Sequence, residues 1–384
     1  KQYYMNNFDI SAFSEIFSFC GEQKYIELNN TVGQRWFIPF KHHKLFLSLF
    51  QPSSIKGKIV KGTLGIIKHF PRILNLAHAK IVPLTFSSQF CGVIDDIFQQ
   101  TGCKYAIFCG SPGKHQKITL MVVNNGMALG YCKLSDKGYI KKLFEKESNN
   151  LVYLHDKSVD NVPFSLYCDK LEFSDIYAFV QTTKRNGKIK IANRSSPALL
   201  EFIQDFNAKT ALCIPFEDSD YAKSLERLRV NLAFLNNREL GESFKRGIDT
   251  IYNHRHRFND FCAYHGDLTA WNSFIANGKL FAFDLEYFSK SYPRLCDYFH
   301  FFTQDLLYNE NANAEKIYKQ YQIVKSKFLG IENIDLLYLS YLLAVVDFYL
   351  NRDKAILNDR LHSCFCIWAE LVNKLLCDAK EYHQ

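Results

Sequence analysis

Residues 265–272 read His265-Gly266-Asp267-Leu268-Thr269-Ala270-Trp271-Asn272, and residues 281–287 read Phe281-Ala282-Phe283-Asp284-Leu285-Glu286-Tyr287. An acid, an amide five residues later and a second acid closing the apolar run Leu280 to Phe283 therefore follow one another closely. Across a tight loop Asn272 can return its amide oxygen toward whatever Asp267 faces. Asp284 would emerge where a strand ends, and Glu286 would point to the same side if the strand continued. Such oxygen donors suit Mg2+, which takes one or two carboxylates and otherwise keeps water or phosphate oxygens. Phosphoryl transfer asks for this set: a cation on the phosphates, and a carboxylate that orients the acceptor hydroxyl and takes its proton. Asp267 is then the candidate catalytic base, and Asn272, Asp284 and Glu286 are the candidate metal ligands. Either motif alone is common; the two in this order carry the reading.

Working outward, the chain before the two motifs is rich in strands and the chain around them is helical. From residue 104, KYAIFCG, HQKITLMVV and MALGYCKL are three apolar β-rich runs. GSPGK separates the first two, and Asn124-Asn125-Gly126 makes a hairpin turn between the last two. YIKKLFEKESNNLVYL has helical spacing, with Ile140, Leu143, Phe144, Leu151 and Leu154 on related faces. PFSLYCDK and LEFSDIYAFVQTT follow as strands, and a connector lies near Gln181-Thr182-Thr183. Helices are then expected at SSPALLEFIQDF, DSDYAKSLERLRVNLAFL and ESFKRGIDTIYNHRHRF, and again at 296–307, 313–328, 334–350 and 360–380. SFIANGKLFAFD interrupts them as a hairpin turning at Asn277-Gly278. The expected fold class is α+β: a small antiparallel-sheet lobe with one helix at 101–183 and a mainly helical lobe at 184–384. Residues 1–100 form an extension of unknown fold, in which FDISAFSEIFSF suggests an amphipathic helix, RWFIPF and KLFLSLF short strands or buried runs, and QPSSIKGKIVKG a loop.

HGDLTAWN followed by FDLEY resembles the aminoglycoside phosphotransferase and choline kinase superfamily, whose catalytic loop reads His-Gly-Asp, four residues, Asn, and whose metal motif reads Asp-x-Asp/Glu. FDLEYFSKSYPRLCDYFHFF looks like the choline kinase branch, with Asp297 at that branch's second, structural Asp. The resemblance covers roughly 104–310 and implies a bilobal protein-kinase-like fold with ATP and Mg2+ as cofactors. On that template Lys133, ending the third strand, contacts the α- and β-phosphates. Glu147 on the following helix pairs with the lysine, with Glu145 as its competitor. In GSPGK the backbone at Gly110, Ser111 and Gly113 approaches phosphate, although the pattern departs from the GxGxxG of protein kinases. His265 is expected to fix the loop by hydrogen bonding.

Composition bounds the partners. The 384 residues carry a net charge of +8, and 47% are apolar, ample for packed cores. Between Leu28 and Ile94 there is no acidic residue, while Arg35, Lys41, Lys44, Lys56, Lys58, Lys61, Lys68, Arg72 and Lys80 all fall there. Such a block is a solvated basic face, or it meets an anionic membrane or a partner protein; no nucleic-acid motif accompanies it, so nucleic acid is not expected. Twelve scattered cysteines without a CxxC pair suit a cytoplasmic protein with reduced thiols and no zinc site. LLYLSYLLAVVDFYL at 336–350 is short, carries Asp347 and reads as a buried helix. Gly266 stands where protein kinases carry Arg, and no APE-like segment follows Asp284, which argues against protein substrates. The expected acceptor is a hydroxyl of a small molecule or saccharide, such as a cell-envelope glycan. Choline, another amino alcohol or an aminoglycoside is the alternative, for which Glu217, Asp218, Asp220, Asp297, Trp271, Tyr287 and Tyr298 are available. A non-catalytic nucleotide-binding or scaffold protein is the third reading.

Overall fold

Apolar residues at both odd and even positions of a run mark a strand covered on both faces, since successive side chains alternate. A computed structural model describes residues 10–30, 33–41, 46, 62, 79–186, 189–235, 237–328, 330–352 and 359–381, and the chain divides into two compact units. The first holds residues 1–153 and 162–187, the second 154–161 and 188–384.

In the first unit a 3-10 turn at Ile10–Phe13 leads into strands β1 (Phe17–Ser18), β2 (Lys24–Asn29), β3 (Arg35–Pro39), β4 (Lys80–Pro83) and β5 (Thr85–Phe86). Helix α1 (Ser88–Phe98) follows, then β6 (Lys104–Phe108), β7 (Ile118–Asn124), β8 (Met127–Ser135), helix α2 (Gly138–Asp156), β9 (Ser165–Lys170) and β10 (Tyr177–Thr182). Eight of these strands make one antiparallel sheet in the order β4-β2-β3-β6-β7-β8-β10-β9. Alternation is clean: Tyr25, Phe37, Ile107, Leu120, Val122 and Cys132 enter a core with Phe90 and Ile94 of α1. Ile26, Trp36, Ile38, Ala106, Met121 and Val123 enter a second core on the opposite face. The β7–β8 turn has Asn125 at φ 46° and Gly126 at φ 80°, the left-handed pair that a two-residue hairpin requires.

The first hundred residues thus extend the same sheet through β2, β3 and β4. FDISAFSEIFSF differs from the helix expected of it. From Ile16 its backbone bonds to Ser87 and pairs β1 with β5, so among its described residues only the Ile10–Phe13 turn is helical. RWFIPF is a strand, as expected. KLFLSLF lies outside the described residues apart from the buried Phe46, as does QPSSIKGKIVKG apart from Gly62. Of the basic block, Arg35 pairs with Glu27 at 3.0 Å, and Lys41 and Lys80 are exposed. Lys44, Lys56, Lys58, Lys61, Lys68 and Arg72 lie outside the described residues.

The second unit contains β11 (Ile189–Lys190), α3 (Pro197–Lys209), β12 (Leu212–Cys213), α4 (Asp220–Asn231), α5 (Arg238–Asn253), β13 (Asp260–Tyr264), β14 (Ser273–Ala276), β15 (Lys279–Ala282) and β16 (Ser289–Pro293). Helices α6 (Cys296–Asn309), α7 (Ala314–Lys325), α8 (Ile334–Arg352) and α9 (Asp359–Glu381) complete it. Its strands form two small sheets, β11-β14-β15 and β12-β13-β16. The β14–β15 hairpin turns on Asn277 and Gly278, both at positive φ. Helix α8 is long and apolar enough to cross a membrane, yet 72% of its most apolar window is buried inside the protein. Its Asp347 is paired with Arg227, whose Nε donates at 3.0 Å. All twelve cysteines are unpaired.

Candidate active site

The loop 265–272 joins β13 to β14, and one glycine decides its path. Gly266 has φ +87°, and a Cβ there would lie 2.6 Å from the Tyr287 carbonyl oxygen and 2.9 Å from its Cβ. Backbone so close to backbone admits only glycine. On one side of the loop, the fully buried His265 donates from Nε2 to the Phe283 carbonyl at 3.0 Å and accepts at Nδ1 from the Asp267 N–H at 3.3 Å. Burial lowers its pKa, so the ring is neutral and its tautomer is set by those two bonds. On the other side, Asp297 in the first turn of α6 accepts from the His265 and Gly266 N–H groups at 2.9 and 3.4 Å. Burial pushes the Asp297 carboxyl up to about 7 against the pull of those two donors. His265 and Asp297 thus clamp the loop, the first holding it to the FAFDLEY segment and the second to α6.

So fixed, Asp267 keeps its side chain a quarter exposed. The Asn272 amide donates to Asp267 Oδ2 at 2.8 Å and to its main-chain oxygen at 3.0 Å. With both amide hydrogens committed, the group Asn272 can still offer a cation is its oxygen. His300 Nε2 stands 3.3 Å from Asp267 Oδ1. The Asn272 carbonyl accepts from Phe283 N at 3.1 Å and so ties the second motif to the first.

Asp284 follows β15 by two residues and sits at φ 70°, a left-handed conformation uncommon outside glycine but one that Asp adopts more readily than most residues. The charges of Asp267 and Asp284 both act on the His265 ring, and the Asn272 amide bonds Asp267. Glu286 is placed otherwise than strand alternation implies: β15 ends at Ala282 and Glu286 lies in a turn, where its charge bears on Tyr287. Among the described residues no group of three or more His, Cys, Asp or Glu side chains forms a metal site of its own. A cation carried by a nucleotide needs only one or two carboxylates beside its phosphate oxygens and water, and the hard oxygens of Asn272, Asp284 and Glu286 match that chemistry.

In the first unit, Lys133 on β8 reaches Glu147 on α2 with Nζ 2.8 and 2.7 Å from the two carboxylate oxygens. The side chains are 7% and 1% exposed, and Nζ lies 5.6 Å above the Phe179 ring. Glu145, the competitor, instead meets Lys141 at 3.5 Å on the helix surface. A buried pair of this kind is weak ground for stability, because desolvating two charges costs as much as their attraction returns. In the β6–β7 loop Gly110 is buried at φ 72°, where a Cβ would lie 2.5 Å from the Lys117 carbonyl oxygen. Ser111 and Gly113 are exposed; Ser111 Oγ accepts from Gln34 Nε2 at 2.5 Å, and Lys114 O accepts from Tyr139 at 2.5 Å.

One residue at the site escaped the sequence reading. His300 is buried on α6, and its Nδ1 has no hydrogen-bond partner among the described residues. The Asp297-x-x-His300 spacing, which places both on one helix face, was the available signal. Several residues offered for a cationic acceptor are engaged elsewhere. Glu217 pairs with Arg255 at 3.3 Å, Asp220 accepts from Lys290 N at 3.0 Å, Asp297 lies beneath the loop, and Tyr298 packs on Phe328 at 5.0 Å.

No family model matches the sequence, nor does any curated protein. Among solved structures, the chain is similar to a protein assigned as a fructosamine-3-kinase from Haemophilus somnus, at 14% identity over 74% of this chain and 96% of that one, with a TM-score of 0.47. It is similar to a thermostable mutant aminoglycoside phosphotransferase at 9% identity, over 74% and 98%, with a TM-score of 0.49. It is also similar to the choline kinase LicA from Streptococcus pneumoniae at 12% identity, over 75% and 100%, with a TM-score of 0.44.

Proposed function

We propose that this protein is an ATP- and Mg2+-dependent phosphotransferase that moves the γ-phosphate to a hydroxyl of a small molecule or saccharide. The observation that carries the reading is the setting of Asp267: a partly exposed carboxylate on a clamped loop, aimed by Asn272 on one oxygen and His300 on the other. A carboxylate built only for structure would be buried among its donors, as Asp297 is. In the proposed reaction the acceptor oxygen bonds to the γ-phosphorus, the bond from that phosphorus to the β,γ-bridging oxygen breaks, and the hydroxyl proton passes to Asp267.

Asn272, Asp284 and Glu286 would hold the cation, which when bound neutralises charge on the phosphate oxygens. Lys133, oriented by Glu147, would meet the α- and β-phosphates, and the N–H groups of Gly110, Ser111 and Gly113 would approach them. Gly266 and Asp297 act through the loop, fixing where Asp267 points.

The test is ATP turnover by the full chain with Mg2+, with EDTA, and in D267A. The reading expects turnover that EDTA abolishes and D267A lowers by about 10²–10⁴-fold, the usual contribution of a positioned general base. Turnover equal in D267A and wild type, in a preparation free of contaminating ATPase, would refute it.

A further inference from the structure

Residues 1–100 carry none of the groups assigned to the reaction, yet their β2–β3 hairpin ends against the loop that follows β6. The hairpin is closed by Asn30 N donating to Gln34 O at 3.1 Å and by Gln34 N donating to the Asn30 side-chain oxygen at 2.9 Å. The Asn30 amide also donates to Gln34 Oε1 at 2.7 Å. With its oxygen so engaged, the Gln34 side chain sends its Nε2 to Ser111 Oγ at 2.5 Å. Gly33, at φ +83°, brings the hairpin against Pro112, where a Cβ at Gly33 would lie 3.0 Å from Pro112 Cγ. Below these contacts the Cys109 N–H donates to the Arg35 carbonyl at 2.9 Å, one step beyond the Trp36–Phe108 pair of β3 and β6.

Helix α2 grips the other side of the same loop. Tyr139 donates to the Lys114 carbonyl at 2.5 Å, and its ring meets His115 edge to face at 6.4 Å. Gln116 closes the loop from within, donating from Nε2 to the Cys109 carbonyl at 2.9 Å and from its main-chain N–H to Gly113 O at 3.2 Å. Helix α2 also carries Glu147, the partner of Lys133. Ser111 is thus held by the hairpin and Lys114 by α2, while residues 111–115 stay exposed.

An exposed hydrogen bond between two side chains adds little to the stability of a fold. The bond from Gln34 falls on a loop tip rather than on the sheet, so its effect is to fix where the backbone around Ser111 points. A loop ordered in advance loses less freedom when a ligand arrives and binds it more tightly. We propose that the β2–β3 hairpin positions the loop for the nucleotide: Gln34, aimed by Asn30, holds Ser111 and sets residues 110–113 for the phosphates of ATP. The inference rests on the phosphotransferase reading and gives the N-terminal extension a part in the nucleotide site. Gln34 and Asn30 act through Ser111 and are positioning residues.

The experiment titrates the full chain with a fluorescent ATP analogue and Mg2+, a readout that requires no acceptor. The set is wild type, Q34A, S111A, the double variant Q34A/S111A, and E27Q, which breaks the ion pair with Arg35 elsewhere on the same hairpin. Q34A and S111A should each raise Kd by about 3- to 10-fold, the span of one net hydrogen bond. The double variant should go no further than either alone, since both substitutions remove the same bond. E27Q should bind as wild type does. All five proteins should unfold within about 2 °C of one another, because the substitutions fall on exposed or half-exposed contacts. In ATP turnover, KM for ATP should rise with Kd while kcat at saturating ATP stays within about 2-fold of wild type. An unchanged Kd in Q34A, additive effects in the double variant, an equal rise in E27Q, or a loss confined to kcat overturns the inference and leaves the proposed function standing. Wild type that binds no nucleotide defeats that function, and the inference with it.

Discussion

The Lys133–Glu147 pair offers a perturbation whose structural and functional consequences separate. Both oxygens of Glu147 meet Nζ, at 2.8 and 2.7 Å, and the two side chains are 7% and 1% exposed. Removing one partner strands the other charge in a dry site, at a cost of about 3–5 kcal/mol. E147A and K133A should each lose that much, which for a unit of this size lowers Tm by about 10 °C. Replacing both with apolar residues of similar volume, as in K133M/E147L, removes the stranded charge, so stability should return to within about 1 kcal/mol of wild type or exceed it. Phosphate transfer should not return, because the cation for the α- and β-phosphates is gone. The assay pairs thermal unfolding of the four proteins with ATP turnover and with titration of a fluorescent ATP analogue. A double variant as stable as wild type and equally active would show that the pair only fills the core. A single variant with no stability cost would show that the charges are not desolvated.

Three further outcomes follow from the clamped loop. G266A places a Cβ 2.6 Å from a main-chain oxygen at φ +87°, so urea unfolding should show a loss of about 2 kcal/mol or more, with turnover reduced at least in proportion. H300A removes the donor 3.3 Å from Asp267 Oδ1; kcat should fall about 10-fold, with partial recovery in H300Q, and an unchanged kcat would free Asp267 from dependence on this contact. Asp297 is raised by burial to about 7 from a usual 3.8, so the folded state holds a proton there that the unfolded chain has released. Its contribution to stability is complete below about pH 4 and is lost as pH rises through about 7. Thermal scans should show that decline in wild type and a flatter slope over the same window in D297N.

The parts of this molecule that the sequence announces are those in which one residue type answers one local need. Asn-Gly at 125–126 and 277–278 supplies the left-handed pair a two-residue hairpin requires, and both hairpins are present. Lys133 and Glu147 could be paired because the third strand and the helix after it were legible by alternation and by helical spacing. Glu145 was excluded only by its position on the outer face of α2. The first hundred residues were opaque because β2 and β3 are covered on both faces and show no polar alternation, and because β4, which pairs with β2, follows β3 only forty residues later in the sequence. FDISAFSEIFSF has a helical stripe, but tertiary pairing with β5 outweighs it. His300 was hidden in FHFF, where a lone histidine in an apolar helix reads as core.

The measurement that bears most directly on the account is γ-phosphate transfer followed to its product. Wild type and D267N are incubated with γ-labelled ATP, Mg2+ and a panel of hydroxyl acceptors (free sugars, sugar phosphates, amino alcohols and aminoglycosides), and the label is traced to a phosphate ester. The account predicts a labelled, hydroxyl-linked product with wild type and about 10²–10⁴-fold less with D267N, the two proteins unfolding at the same temperature. Equal ester formation by folded D267N, or label released only as free phosphate whatever the acceptor, would contradict it.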